Sequence, residues 1–393
     1  MGQFLAYQTS LTFSVLIPVL STEWGLSGSR AGLILGVFQL GTLAAYVVIG
    51  FLLDRVRTKP IMVAAAALVG VGDLLFAAGA RDFTTGILLR LLIGIALGGL
   101  YLPALKQIAE TIPLDRRGTA TGIYVATIVA AYAVPLYYVG LLAPRVGWRT
   151  TMAGVGALEL LGAVVMALAI PFVSRPAALP RLGPSRYVAD VVGNPRARRV
   201  ILAYTGHNWE LFGFWGWLTP FMVAMLLPRG VSPRDALAWG GMLAGAAIGV
   251  GGAVGALAGG RLSDRLGRAE TATVMLTGSM VCSIVFGWLF SAPLILLIGV
   301  ALVYGTVSLA DSPSYSASLM EVVAPHSLGG AFSLQMLSGW GATVLAPPAV
   351  GFVLDLTKAA SLSPSAQWGW AFAILAVGPL AGLLALGPLR ARR

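Results

Sequence analysis

The chain has 393 residues, of which 58% are hydrophobic and only 10% charged, and its mean hydropathy is +0.86. A soluble domain carries about 25% charged residues, so this composition excludes a water-soluble globule and makes lipid the solvent. A single cysteine, Cys282, and two histidines exclude a disulfide framework, a thiolate metal site and most histidine-based metal chemistry; the net charge of +11 leaves a nucleic-acid partner to be judged from where the charges fall.

Twelve apolar stretches can be read along the chain. Each is long enough to cross about 30 Å of hydrocarbon at 1.5 Å per residue. The first lies near Phe4–Leu20. It has no preceding Lys or Arg and no clean small-residue cleavage site, which argues against a signal peptide. Its polar lead is short, as it would be if the natural chain began further upstream. Spans two to six fall near Ala31–Leu53, Pro60–Ala78, Thr85–Ile108, Thr119–Leu142 and Thr151–Val173. Residues 174–199 form the one extended polar stretch, rich in Pro and Arg, and predict a linker with a short interfacial helix near Arg186–Val192. Spans seven to twelve follow near Val200–Leu227, Ala236–Gly259, Thr271–Phe290, Pro293–Leu319, Leu328–Leu354 and Trp368–Leu389.

Between spans two and three stands Gly50-Phe51-Leu52-Leu53-Asp54-Arg55-Val56-Arg57, and after span eight Gly260-Arg261-Leu262-Ser263-Asp264-Arg265-Leu266-Gly267-Arg268. Each copy is a basic turn at a membrane surface. Glu110, Gly118, Ala120 and Gly140 have counterparts at Glu321, Gly329, Ala331 and Gly351, all offset by 211, and Gly147-Trp148 is echoed by Gly369-Trp370. The chain thus reads as two copies of one six-helix unit, residues 1–173 and 200–393. Lys and Arg gather at the two basic turns, in the linker and at the C-terminal tail, while the opposite side holds far fewer. The asymmetry predicts that both turns, the linker and both termini are cytoplasmic. The basicity is therefore a topology signal with a weak attraction to anionic lipid, and no nucleic-acid partner is implied.

The G-x-x-x-D-R-x-G-R pattern of these turns resembles the signature loop of major facilitator superfamily (MFS) transporters, found between helices two and three and again after helix eight. Arg57 stands where the pattern has Gly, which predicts a less tight first turn. The resemblance covers nearly the whole chain. It implies an all-α integral membrane fold of twelve helices in two pseudo-symmetric halves, a monomer, and secondary transport by rocking of the halves about a central site. It also implies a gating role for the two loops, carried here to Gly50, Asp54 and Arg55 and to Gly260, Asp264 and Arg265. In the family this Asp holds the cytoplasmic ends of the halves together when the cavity faces outward. A carboxylate suits that task because it pairs with Arg and with N–H groups at a helix N-terminus.

Ionisable residues within spans are costly and are functional candidates by default. Here they are Asp73, Arg90, Glu159, His207, Glu210 and Asp311. Arg90-x-x-x-Gly94-x-x-x-Gly98 is similar to the MFS fourth-helix motif, whose arginine faces the cavity; the alternative is an arginine snorkelling to the interface. Lys106 and Glu110, four apart, read as a local ion pair. His207, Glu210, Phe214 and Trp217 share one face of span seven and could bind an organic solute and sense protons, or form an aromatic packing seam. In span ten Pro313 predicts a bend beside Asp311. Counted inward, His207, Asp311 and Gln335 lie roughly 12 Å deep at 1.5 Å per residue, and with Glu210 form one polar layer; a purely structural His207–Asp311 tether is the rival. Gln39, Tyr124, Tyr7 and Gln8 are candidates for the opposite wall. The resemblance puts Asp73 and Glu159 in helices outside the cavity, bonded to their neighbours.

The function expected is transport of a small organic or inorganic anion or metabolite across the cytoplasmic membrane, coupled to protons, with no enzyme activity. No phosphate-binding loop occurs and no cofactor or metal is expected. Spans seven and ten loosely resemble the nitrate/cyanate-type MFS branch, although its glycine-dense signature and paired arginines are missing. Proton-antiport drug efflux is the alternative, weakened because Ala130-Ala131-Tyr132-Ala133-Val134-Pro135-Leu136 lacks the antiporter glycine pattern. Two remoter readings are a sensor on the same fold, for which no signalling domain is read, and an intramembrane aspartyl protease. The latter rests on Gly70-Val71-Gly72-Asp73 alone, without a second catalytic Asp on an adjacent helix.

Overall fold

The computed structural model describes residues 1–53, 55–171 and 191–390. The expectations for Asp54, for linker residues 174–190 and for the tail after Arg390 fall outside the described residues. Twelve helices are long and apolar enough to cross a membrane: Gly2–Trp24, Gly28–Gly50, Thr58–Gly79, Phe83–Thr111, Thr119–Val146, Trp148–Ala169, Pro195–Arg229, Pro233–Leu266, Arg268–Ser291, Leu294–Val322, Leu328–Ala359 and Pro364–Gly387. They are the twelve expected spans, some longer and some shorter at their ends than expected. No strand occurs among the described residues. Large apolar side chains such as Leu168, Ile295 and Leu384 lie exposed. In water that surface would drive aggregation, whereas in hydrocarbon it is the preferred outer face.

The chain forms two compact units, Met1–Leu179 with Met222–Gly245 and Pro180–Phe221 with Ala246–Arg393. The first therefore holds, besides six spans, the stretch where the seventh span turns into the eighth. There, Gly140 of the fifth span lies against the Leu237 carbonyl of the eighth, which a Cβ would approach to 2.9 Å.

Helix starts follow local chemistry. The Ser27 hydroxyl accepts from the Arg30 N–H at 3.3 Å. At the start of the fourth span Thr85 N–H donates to Asp82 Oδ1 at 2.8 Å while Asp82 N–H donates to Thr85 Oγ1 at 3.1 Å, a reciprocal capping box. The N–H and hydroxyl of Thr85 hold the Asp82 carboxyl below the ordinary Asp value. A depressed carboxyl stabilises above its unfolded pKa, so this cap is intact at neutral pH and is lost as pH falls through the lowered value.

Within each unit the even-numbered helices meet through glycine at matching positions. A Cβ on Gly94 of the fourth span would collide with the Phe38 carbonyl of the second, and one on Gly41 with the Leu91 carbonyl. In the second unit Gly305 of the tenth span meets the Ala247 carbonyl of the eighth, and Gly251 the Leu302 carbonyl. Gly94 and Gly305, like Leu91 and Leu302, are offset by 211. The repeat read from loop landmarks is thus also the register of helix packing. Because the obstruction is backbone, Gly94→Ala is expected to destabilise the protein by about 1–3 kcal/mol. The check is the detergent-solubilised thermal midpoint followed by circular dichroism; an unchanged midpoint would mean that the second and fourth spans do not approach so closely.

Two spans are interrupted where polar residues gather. The first changes from α to a 3-10 turn at Gln8–Leu11. The tenth ends its first helix at Ala310, restarts at Ser312, and leaves Asp311 between, since Pro313 can donate no backbone bond and its ring crowds the preceding turn. The interruption falls where the bend was expected.

The two signature turns differ as their residues dictate. Gly267 has φ +97°, a conformation that Gly tolerates at little cost. Arg57, its counterpart, instead takes φ −63° and ψ 147°, an extended conformation open to any residue. The Gly-Trp echo is one of sequence only. Gly147 makes a turn at φ +85° before a buried Trp148, whereas Gly369 lies inside helix Pro364–Ala373 and Trp370 is exposed.

Candidate functional site

The second unit brings His207 and Asp311 together. His207 Nδ1 lies 2.9 Å from Asp311 Oδ1, with both side chains at most 2% exposed. At that distance the contact is an ion pair when the ring is doubly protonated. Tyr315, one turn beyond Asp311, donates its hydroxyl to Oδ2 at 2.6 Å. The rings of Tyr204 and Tyr315 stand 6.1 and 5.5 Å from the imidazole. The helix break at Asp311 thus aims a carboxylate at the seventh span. Glu210, one turn along that span, lies within electrostatic range of both partners, but its oxygens accept from Ser279 and Ser283 of the ninth span, each at 2.8 Å. Ser283 also shares a 2.6 Å hydrogen bond with Tyr304 of the tenth. Gln335 is buried on the eleventh span, and its Nε2 has no partner.

The other two members of the seventh-span face have packing roles. Phe214 stacks on Tyr304 at 3.9 Å between centroids. The Trp217 indole N–H donates to the Pro347 carbonyl at 2.9 Å, and its ring packs on Trp368. The face is therefore polar at His207 and Glu210 and an aromatic seam beyond them.

In the first unit Arg90 does not present its guanidinium to open space. It is 1% exposed, donates to Thr9 Oγ1 at 2.8 Å, and lies 4.1 Å from the Phe38 ring centroid. Asp73 of the third span and Glu159 of the sixth lie within its electrostatic range. They also face each other within hydrogen-bond reach, and Glu159 Oε1 accepts from the Thr9 N–H at 2.8 Å. Neither of the readings of Arg90, on a cavity wall or snorkelling outward, anticipates this enclosure. Glu159 is thus bonded to the first span, and both acids lie beside Arg90. Tyr124 accepts from Gln3 at 3.2 Å and donates to the Tyr101 carbonyl at 3.3 Å, and Gln39 is buried on the second span. Among the described residues no group of His, Cys, Asp and Glu could hold a metal ion.

Comparison with known proteins agrees with this architecture. The family described as "Major Facilitator Superfamily" matches residues 1–347. The chain belongs to the major facilitator superfamily. Among curated relatives, the probable sulfoacetate transporter of Cupriavidus necator is 27% identical over 157 residues, 40% of this chain and 36% of that protein. The cis,cis-muconate transport protein of Acinetobacter baylyi is 26% identical over 367 residues, 87% of this chain and 83% of that protein. The match thus spans only about a third of the first relative and most of the second. The crystal structure of the nucleoside transporter NupG superimposes with a TM-score of 0.77 at 13% identity, covering 100% of this chain and 97% of that one, a likeness of fold. This MFS protein is accordingly a multi-pass membrane protein. The protease reading of Gly70-x-Gly72-Asp73 falls away with membership of that family, and Gly70 has a packing reason: its Cβ position lies 2.8 Å from the Gly156 carbonyl of the sixth span.

At the MFS signature turns, Asp264 pairs with Arg268 at 2.5 Å, and Arg268 reaches Glu321 at 3.3 Å. Arg265 is exposed, and a Cβ at Gly50 or Gly260 would meet nothing within 4 Å. Lys106 and Glu110 form the expected pair at 3.7 Å, and Lys106 also donates to the Leu53 carbonyl, capping the end of the second span. Sequence reading missed Thr9, Ser279, Ser283, Tyr304 and Tyr315 as site residues. A signal existed for some of them: Tyr315 follows Asp311 by four residues and Ser283 follows Ser279 by four, each pair on one helix face.

Proposed function

We propose that this MFS transporter carries a small organic or inorganic anion across the cytoplasmic membrane by alternating access, in symport with a proton bound at His207 and Asp311. The observation that carries the reading is the enclosed His207–Asp311–Tyr315 group at the break in the tenth span. A doubly protonated imidazole there supplies a positive charge for an anion, and releases its proton when the anion leaves. Solute and proton then favour the same state, which is the thermodynamic condition for coupling. Arg90, expected to neutralise the anion, has its charge met by Asp73 and Glu159, so we place the counter-charge at His207. Glu210 and Gln335 line the same polar layer in this reading, and Tyr124, Gln39 and Trp217 are left to packing and positioning. Two relatives named for sulfoacetate and cis,cis-muconate transport support a small carboxylate or sulfonate as substrate. The loose likeness of spans seven and ten to the nitrate/cyanate-type branch points the same way, on residues alone. In this reading the halves 1–173 and 200–393 act as a monomer, with both termini and both signature loops cytoplasmic.

The test is a thermal-shift screen of the purified protein against small carboxylates, sulfonates, inorganic anions, sugars and lipophilic cations. A ligand at about a hundred times its Kd stabilises the folded state by about 2.7 kcal/mol. Stabilisation by small anions that weakens as His207 is replaced by Gln is the expected outcome. Stabilisation by lipophilic cations alone, dependent on Glu210, would replace this reading with drug efflux.

A further inference from the structure

We propose that Asp73 and Glu159 bind one proton between them, forming a second proton site that clasps the interrupted first span to Arg90. The ligand is a proton alone, and the inference does not rest on the substrate reading or on His207.

The case begins with atoms that lack partners. Asp73 and Glu159 are both 0% exposed. Both oxygens of Asp73 and Oε2 of Glu159 lack a well-formed hydrogen bond, although the Thr9 side chain lies within reach of Asp73 and the two carboxyl groups face each other within hydrogen-bond reach. Two carboxylates can only accept, so as anions they leave these atoms orphaned and repel. One hydrogen between them turns the same geometry into a carboxylic acid donating to a carboxylate, and the short bond that results is of the strong, charge-assisted kind.

Charge balance points to the same count. Arg90 is the cation facing the pair, held over Phe38 and bonded to Thr9. With both carboxyls ionised the cluster keeps one uncompensated negative charge in an enclosed site, a state whose penalty is several kcal/mol. With one proton it is neutral. With two protons Arg90 would be left unpaired. The other groups facing the pair do not alter this balance. They are Thr9 on the first span, which offers hydroxyl and backbone, the Phe38 ring on the second, and Tyr138 on the fifth, whose hydroxyl donates to Gln8 at 3.2 Å and lies within electrostatic range of both carboxyls. The proton belongs to the pair, because strongly interacting sites titrate jointly.

The site also has a mechanical consequence. Thr9 sits in the 3-10 turn Gln8–Leu11, where the first span loses its α-helical bonding. Its N–H donates to Glu159 and its hydroxyl accepts from Arg90, so the sixth and fourth spans hold the break from two sides. Withdrawal of Thr9 would take a donor from Glu159 and a partner from Arg90 together, which ties occupancy of the proton site to the position of the first span.

The test is infrared spectroscopy of the full-length protein in lipid at neutral pH, reading the carbonyl stretch of protonated carboxyl groups. Among the described residues the buried carboxyls are Asp73, Glu159, Glu210 and Asp311. The measurement therefore starts from the Glu210→Gln/Asp311→Asn double variant, in which only the proposed pair is left. That variant is expected to retain a deuterium-sensitive carboxyl band equivalent to one group. Adding Asp73→Asn, or separately Glu159→Gln, should abolish the band completely, because the remaining carboxylate is then balanced by Arg90 without a proton. Either amide can donate to the surviving carboxylate, which preserves the contact. Absence of the band from the double variant overturns the proposal whether or not the further variants fold. So does a band that survives both additions.

Discussion

Asp311→Asn is expected to abolish pH-gradient-driven accumulation of substrate while leaving the protein folded, inserted and able to exchange substrate across the membrane. The asparagine matches aspartate in shape. Its amide oxygen can accept from the Tyr315 hydroxyl, now at 2.6 Å from Oδ2, and its NH2 can donate to a neutral His207 Nδ1, now at 2.9 Å from Oδ1. The Tyr315 bond and a polar contact to His207 are thereby kept, and the stability change should stay within about 1 kcal/mol. The negative charge that holds a proton on the imidazole is lost. Uptake driven by a pH gradient and counterflow at equal pH, both in proteoliposomes, separate the two functions: the first should fall to background and the second should persist. If the pair is a structural tether, accumulation and counterflow would fall together with the thermal midpoint, and the coupling role of Asp311 would be lost with them.

How much of this was legible beforehand depends on which physical constraint wrote it into the chain. Lipid forces runs of about 20 apolar residues, so the twelve spans and their ends could be read directly. The 211-residue offset of the loop landmarks also predicted the packing register, because Gly94 and Gly305 must each admit a neighbouring carbonyl. Depth along a helix follows from residue count, so the meeting of His207 with Asp311 was within reach. Periodicity, however, states only which residues share a face, never which helix that face meets. Arg90 therefore looked like a residue for a cavity wall, and nothing in its own span showed that Asp73 and Glu159 stood opposite. Their common unit was the available clue: Asp73, Arg90 and Glu159 fall in the first half of the chain, and His207, Glu210 and Asp311 in the second. Buried charges need partners, so grouping by half would have favoured two clusters over a single layer. The interruption at Gln8–Leu11 had no signal comparable to Pro313, since Thr9 and Ser10 are tolerated in helices and in turns alike.

Arg90→Met should be the most damaging single substitution in the first unit, destabilising the protein by about 3–5 kcal/mol, the range expected when one partner of a buried charge pair is removed. The methionine can fill the volume beside Phe38 and Phe13, which lie 4.1 and 5.8 Å from the guanidinium carbon, so packing loss is small and the cost is electrostatic. Two signatures separate this from a simple packing defect. The deficit should shrink as pH falls, because the carboxylate left without a cation can then take up a proton and become neutral. It should also shrink when Asp73→Asn and Glu159→Gln are added together, since the two amides leave no charge to be balanced. A thermal-midpoint cycle of Arg90→Met, the paired amide variant and their combination across a range of pH measures both effects, and additive losses independent of pH would mean that Arg90 serves packing alone. The second unit supplies the contrast. There one buried carboxyl, Glu210, is held by the hydroxyls of Ser279 and Ser283, with Tyr304 beyond them; Ser283 lies 210 residues after Asp73. Hydroxyls can donate to an amide oxygen as readily as to a carboxylate, and they leave no charge behind. Glu210→Gln should therefore cost much less than Arg90→Met. The third span thus meets a buried carboxyl of the sixth with a second acid, whereas its repeat partner the ninth meets one of the seventh with neutral hydroxyls, and only the first arrangement leaves a charge that a cation must balance.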